Sequence, residues 1–316
     1  MNSLPKAYIG VDVSKDLLDV YIHPIMKFHQ VENSNKGIAD FLEVLVNYDV
    51  QQIGFESTGG YENLLLQCTQ KAGYEPWPIN PAQIKAFKQS EGKKAKTDQL
   101  DAKMIALFVA QKTRPYVPLK LSDEALKLKS LVKRRIDLVD ACAAEKTRLK
   151  HPGQIFCAKD IEAHIEFLEQ RINLLAEEIQ RMIQDNDDWK NKSSKLESIP
   201  GVGKNTASVL VATLPELGTL DKKEIAALVG VAPFTKQSGQ YKGASFIEGG
   251  RFEPRESLYM SILSGIRCNP VLKEFYERLC NKGKKPKVAM VGCMRKLIVI
   301  MNEMIKDNSS WDFKTA

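Results

Sequence analysis

A chain of 316 residues, 43% apolar and 27% charged, is long enough for two domains of ordinary size and too apolar to be globally disordered. The formal charge of +7 is unevenly spread: from residue 83 to residue 150, 17 Lys and Arg stand against 8 Asp and Glu, an excess that suits a polyanionic partner. Six scattered cysteines with no CxxC pair argue against a disulfide frame or zinc site, and no apolar run reaches the ~18–20 residues of a membrane span, so a cytoplasmic protein with chromosomal association is expected.

In chain order, the first 112 residues read as mixed α/β. Short apolar runs at 8–13, 18–23 and 28–32 predict strands, and Ile38, Phe41, Leu42 and Leu45 at helical spacing predict a helix over 36–47. A strand at 53–56, a helix at 61–72 stopped by Gly73, and a short strand near 75–79 follow. Asn80-Pro81 opens another helix, and Thr97 is placed to N-cap a further one carrying Asp98 and Asp101. Three strands, helix, strand, helix, strand, helices is the order of the ribonuclease H-like fold, in which carboxylates sit at the ends of the first and fourth strands.

From residue 121 to about 190 the chain reads as helical. One long helix runs to Lys150 and is interrupted by His151-Pro152-Gly153. The next places Ile161, Ile165, Leu168, Ile172, Leu175, Ile179 and Met182 in alternating steps of four and three, a seam of the coiled-coil kind. Its partner is either the preceding helix or another subunit. From 191 onward the chain opens on LESIPGVGKNTASVLVATL, in which two helices flanking Pro-Gly-Val-Gly resemble a helix-hairpin-helix; Gly201, Gly203 and Lys204 are then candidate phosphate contacts. The segment is no P-loop, because Ser198 and Asn205 occupy positions that motif reserves for Gly and Ser/Thr. An irregular Gly-rich loop over 230–250 is expected to be functional. Arg251 and Arg255 follow it, placed either to bind the scissile phosphate or simply to start a helix, then further helices with a Gly-Lys-Lys-Pro turn whose Lys284 and Lys285 suit either phosphate contact or a solvated turn.

Four acids carry the chemical argument: Asp12 and Glu56, each closing a predicted strand, and Asp98 with Asp101, three apart on a predicted helix. Carboxylates converging in this way suit a divalent-metal phosphodiester enzyme, because hard cations take oxygen ligands and can clamp the attacking and leaving oxygens of a phosphate. Each acid also has a bland reading: a strand-end turn for Asp12, a helix cap for Glu56, dipole-complementing first-turn acids for Asp98 and Asp101. GVDVSK further resembles the phosphate loop of actin-like sugar kinases, but no second phosphate loop accompanies it. The basic run Lys85, Lys88, Lys93, Lys94 and Lys96, just ahead of the aspartate pair, is the expected polyanion track.

Across nearly its whole length the chain resembles the DEDD transposases of the IS110 family of insertion sequences, relatives of the Piv-type DNA invertases. YIGVDVSKDLLDV, FESTGGYENLL, INPAQIKAFKQSEGKKAKTDQLDAKMIA, LESIPGVGKNTASVLVA and GVAPFTKQSG occur in that family's order and approximate spacing. The resemblance implies α/β plus α architecture: a RuvC-like domain over 1–120, a coiled-coil region over 121–190, and a C-terminal transposase domain over 191–316. It implies metal ligation by Asp12, Glu56, Asp98 and Asp101 with magnesium or manganese, and a serine nucleophile at Ser238. Gln240 and Tyr241 stand where some relatives carry small residues, and Ser245 is the nearby competitor. Donor and target DNA, a structured noncoding guide RNA and a homodimer or tetramer are the implied partners. Two other functions compete with a serine recombinase: a RuvC-like nuclease or junction resolvase using water, and a nucleic-acid-binding protein with a degenerate site.

Overall fold

Three strands open the chain, β1 (Lys6–Val13), β2 (Leu17–His23) and β3 (Lys27–Glu32), followed by α1 (Asn35–Leu45), β4 (Asp49–Glu56), α2 (Asn63–Lys71), β5 (Pro76–Ile79), α3 (Pro81–Ser90) and α4 (Asp98–Gln111). The computed structural model describes residues 4–57, 59–92, 98–112, 122–235, 237–238, 241–242 and 246–312. Two units form, Met1–Lys120 and Leu121–Ala316, and each is described by itself.

The first unit is built on a five-stranded sheet in the order β3-β2-β1-β4-β5. Strands β1, β2 and β3 pair antiparallel, whereas β4 joins β1, and β5 joins β4, in parallel. Period-two alternation sends Ile9, Val11, Leu18, Val20, Ile53 and Phe55 to one face, where Ile38, Phe41, Leu45 and Leu65 of α1 and α2 cover them. The opposite face meets α3 and α4 through Ile84, Phe87, Met104, Ile105 and Phe108. Fully burying side chains of this size contributes about 1.5–3 kcal/mol each. Helix starts follow the expected chemistry: Ser34 accepts from the Gly37 amide, and Asn80 accepts from the Ala82 amide ahead of Pro81. Thr97 lies outside the described residues.

The second unit is mostly helical. Helices α5 (Asp123–Leu149) and α6 (Ala158–Gln184) are joined by a 3-10 turn (Pro152–Cys157) and followed by α7 (Asp187–Glu197), α8 (Lys204–Thr213) and α9 (Lys222–Leu228). Four two-residue strands come next, β6 (Pro233–Phe234), β7 (Gln237–Ser238), β8 (Tyr241–Lys242) and β9 (Phe246–Ile247), and α10 (Phe252–Cys268), α11 (Pro270–Asn281) and α12 (Pro286–Lys306) close the chain.

The α6 seam packs against α5: Leu168 and Leu175 meet Leu138 and Cys142, with Ile165 and Ile172 alongside. The two helices run antiparallel, as Lys127–Glu178 and Lys146–Glu169 ion pairs at opposite ends require. Leu128 and Val132 of α5 and Ile179 and Ile183 of α6 also enter the core that holds Leu210, Leu258 and Leu297, so one core crosses the division placed at residue 190. Helix α8 is buried from Thr206 to Thr213, as an apolar helix surrounded by others must be. The stretch expected to be an irregular loop over 230–250 instead contains two nested antiparallel pairings, β6 with β9 and β7 with β8. Its glycines lie outside or between these pairs, leaving Pro, Phe, Tyr and Ile residues to extend. Among the described residues, no helix is long and apolar enough to cross a membrane.

Candidate active site

Strand register brings the first two acids together. Val11 pairs with Phe55 in the parallel β1–β4 ladder, so Asp12 and Glu56 are the next residues on neighbouring strands, at their C-terminal ends. Both share the parity of Gly10 and Gly54, the residues that face α4. A Cβ on Gly10 would collide with the Ala102 carbonyl oxygen and the Ala106 nitrogen of α4, and one on Gly54 with Val109. These two glycines let α4 lie against the sheet, which carries Asp101 to the edge where Asp12 and Glu56 end. Asp101 is 8% exposed.

A cation occupies the space between two of these acids. Lys88 of α3 places its Nζ 3.0 Å from Asp101 Oδ1 and 3.6 Å from Glu56 Oε1. Asp12 is half-buried and has an interaction partner of its own. Asp98 is the first residue of α4, three residues before Asp101. Among the described residues, a set from which the Asp98 side chain is excluded, no group of three His, Cys, Asp or Glu stands ready to hold a metal ion. The donor set nonetheless fits one: oxygen donors from a strand end and a helix already close around a positive charge, the ammonium standing where a hard cation would sit.

Sequence reasoning missed two residues here. Lys88 was counted only as part of the basic run; its helical phase, one residue after buried Phe87, was the available signal. Asp19 of β2 lies directly opposite Asp12 in the antiparallel ladder, is 5% exposed, and accepts a 2.8 Å hydrogen bond from Gln30 Nε2. Its alternation with Leu18 and Val20 placed it on this face. Of the predicted polyanion track, Lys93, Lys94 and Lys96 lie outside the described residues.

Ser238 ends β7, opposite Tyr241 on β8. Gly239, Gln240 and Ser245 lie outside the described residues. The two ends of the segment are pinned. Gly230 (φ +73°) and Gly250 (φ +72°) approach so closely that a Cβ on either would strike the other's backbone or its neighbour's. The Arg251 amide donates to the Leu228 carbonyl at 2.8 Å.

A transposase model matches residues 9–152, which contain all four acids, and a second model, described as the transposase IS116/IS110/IS902 family, matches residues 193–277, which contain Ser238. The chain belongs to that family. It is therefore a DNA transposase or recombinase. The chain is 27% identical over 322 residues to the pilin gene-inverting protein of Moraxella bovis, covering 98% of each chain, and equally similar to that of Moraxella lacunata. It is also 29% identical over 123 residues to the insertion element IS110 uncharacterized 43.6 kDa protein of Streptomyces coelicolor, covering 38% of this chain and 30% of that one.

In this transposase the arginines expected to touch DNA are engaged within the protein. Arg251 grips Glu216 with both Nη atoms at 2.6 Å and donates to the Thr213 carbonyl at 2.8 Å. Glu216 is almost wholly buried, and an unpaired carboxylate there would be costly. Arg255 donates to the Gly249 carbonyl and lies over the Phe252 ring. Both hold the base of the Ser238 segment, a role different from the phosphate contact read from sequence. The same corner contains Lys129, exposed as a whole residue, whose pKa nonetheless lies below the usual lysine value, first through partial loss of hydration and then through the Arg251 charge.

Gly201 has a similar explanation. Its φ is +97°, and its α-carbon approaches α10 so closely that a Cβ would lie 2.5 Å from the Gly265 Cα. The turn is thus shaped by helix packing. Gly203 caps α8 with no side-chain hydrogen bond, and Lys204, Lys284 and Lys285 are exposed.

Replacing Arg251 by lysine keeps the charge but removes the two-pronged geometry. It should lower the stability of the transposase by about 1–3 kcal/mol. A thermal melt of the full chain checks this; an unchanged melting temperature would return Arg251 to the surface role expected from sequence.

Proposed function

We propose that this transposase cuts and rejoins DNA through Ser238, served by a divalent-metal site formed by Asp12, Glu56, Asp98 and Asp101. The observation that carries the reading is the convergence at one sheet edge: Asp12 and Glu56 on adjoining parallel strands, with Asp101 tied to Glu56 through one cation. The sheet order 3-2-1-4-5 supports a RuvC-like domain over 1–120. The heptad seam of the α5–α6 hairpin supports a coiled-coil region over 121–190, leaving 191–316 as the serine-bearing part.

Magnesium or manganese bound at the acids would act as a Lewis acid, neutralising charge that develops on the phosphate oxygens. The chain supplies the rest. The Ser238 hydroxyl gives its proton to a base and its oxygen bonds to phosphorus, while the bond from phosphorus to the DNA 3′-oxygen breaks and that oxygen leaves as a hydroxyl. One phosphoester replaces another, so the phosphoseryl link keeps the energy needed for rejoining. Attack by a new 3′-hydroxyl reverses the step and frees the serine.

The further parts of the reading rest on resemblance and surface chemistry. A structured noncoding RNA guides the choice of donor and target DNA, as the family resemblance implies. Lys204, Lys284 and Lys285, exposed, are retained as phosphate contacts, and the helix-hairpin-helix-like turn between α7 and α8 is read as a backbone site. Exposed Phe167 and Leu174 on α6, with Phe156 97% exposed at the hairpin tip, support assembly as a dimer or tetramer. Similarity to pilin gene-inverting proteins over nearly the full chain makes inversion a product to test beside insertion and excision. A reduced, cytoplasmic and chromosome-associated setting fits six free cysteines.

The test is a denaturing gel following labelled donor and target DNA, with flanking noncoding RNA and magnesium, for wild type and Ser238→Ala. A protein–DNA adduct and rejoined product are expected for wild type, and both are expected to vanish in the variant. Cleavage persisting in Ser238→Ala without an adduct would instead make the protein a nuclease or junction resolvase using water.

A further inference from the structure

We infer that Lys88 is a resident counter-ion of the acidic site, which a metal must displace and which DNA then takes up. The inference rests on the metal-site reading above and assigns a role to a residue outside the acidic set.

The Lys88 ammonium lies 3.0 Å from Asp101 and 3.6 Å from Glu56, carboxylates on two different elements. Their side chains are only 11% and 19% exposed, so solvent screens their mutual repulsion weakly, and a nearby cation is needed when no metal is there. A divalent ion bound to the same oxygens would meet a like charge at contact distance. The ammonium must then leave.

Its attachment permits this. Helix α3 is anchored by buried Ile84 and Phe87, and the Phe87 ring meets Phe108 of α4 edge-on with centroids 5.4 Å apart. The root of Lys88 is therefore fixed while its flexible four-carbon stem is not, and lysine carries a compact charge without the planar fork that would bind arginine rigidly to a carboxylate. A released ammonium stays tethered to α3 beside the acids, within reach of a phosphate held there. Loading of metal and arrival of the phosphate are thereby coupled: the free protein holds metal weakly, and DNA strengthens that hold by giving Lys88 a new partner. A charge this close to the ligand oxygens is large enough to alter metal affinity by about tenfold or more when removed.

The experiment titrates Mn²⁺ alone into the full chain without DNA, followed by electron paramagnetic resonance, for wild type, Lys88→Met, Lys88→Gln, Lys88→Arg and Asp101→Asn. Melting temperatures are recorded in chelator and in excess Mn²⁺. Lys88→Met is expected to bind Mn²⁺ about tenfold or more tightly than wild type and to melt lower in chelator, with the difference vanishing in Mn²⁺. Lys88→Gln repeats the measurement should the methionine variant misfold, and Lys88→Arg is expected to bind no more tightly than wild type. Affinity unchanged or weaker in the neutral variants would overturn the inference and leave Lys88 an ordinary ion pair. Binding to wild type that is unaffected by Asp101→Asn, or no binding to any protein, would overturn the metal-site reading itself.

Discussion

Replacing Asp12 by asparagine should reduce strand cleavage and rejoining by more than about 100-fold while leaving the fold intact. Residues that merely support a metal ligand already cost about 10–100-fold when changed, and a carboxylate proposed to hold the metal should cost more. Asparagine has the same shape, so the β1–β4 pairing that ends beside it has no reason to shift. It also removes one of two facing charges, because Asp19 lies directly across the β1–β2 ladder, where like charges disfavour folding. The variant should therefore stay folded while losing both the adduct and the product. Retention of more than a tenth of the activity would remove Asp12 from the metal site. Mixing Asp12→Asn with Ser238→Ala protein extends the test. Recovered activity in the mixture would mean that acids and serine from different subunits act together; none would count against a shared site.

Gly10→Val should be severely damaging to the first unit, costing more than about 3 kcal/mol. Overpacking ordinarily costs about 1–3 kcal/mol, when side chains can give way. Here the obstruction is the backbone of α4, the Ala102 carbonyl and the Ala106 nitrogen, which moves only if the whole helix lifts from the sheet. Lifting it would expose the patch formed by Tyr21, Ala102 and Ala106 and withdraw Asp101 from Lys88. Hydrogen exchange over 98–111 should accelerate in the variant, with a lower melting temperature and loss of strand cleavage. Unchanged protection of α4 would show that the close approach of helix and sheet is dispensable. Set beside Asp12→Asn, this variant separates two kinds of failure: one removes a ligand from an intact site, the other takes the site apart.

The candidate acids were legible in sequence because each has a local signature. Period-two alternation located the strands at whose ends Asp12 and Glu56 lie, and the spacing of Asp98 and Asp101 placed both in the first turn of one helix. The Arg251–Glu216 pair was not legible, for a reason equally physical. An arginine after a glycine-rich loop looks the same in sequence whether its partner is a phosphate or a buried carboxylate, and Glu216 lies 35 residues away. Gly201 suffered the same ambiguity, its positive φ serving a contact with Gly265 that no local pattern announces. The α6 seam was visible as a seam, yet its partner was open until α5 was seen folded back along it.

By itself, then, the sequence determined the long helices and the five-stranded sheet's strands, their order, the faces they bury and the family to which the chain belongs, but not the four short strands β6–β9. Those properties depend on residues near one another along the chain, where backbone geometry turns spacing into direction. The tertiary structure decided which cation stands between Glu56 and Asp101, how closely α4 lies on the sheet, and which arginines are engaged internally at the base of the Ser238 segment. Each of these depends on contacts between distant residues, whose free energy exists only once both surfaces have been built and brought together.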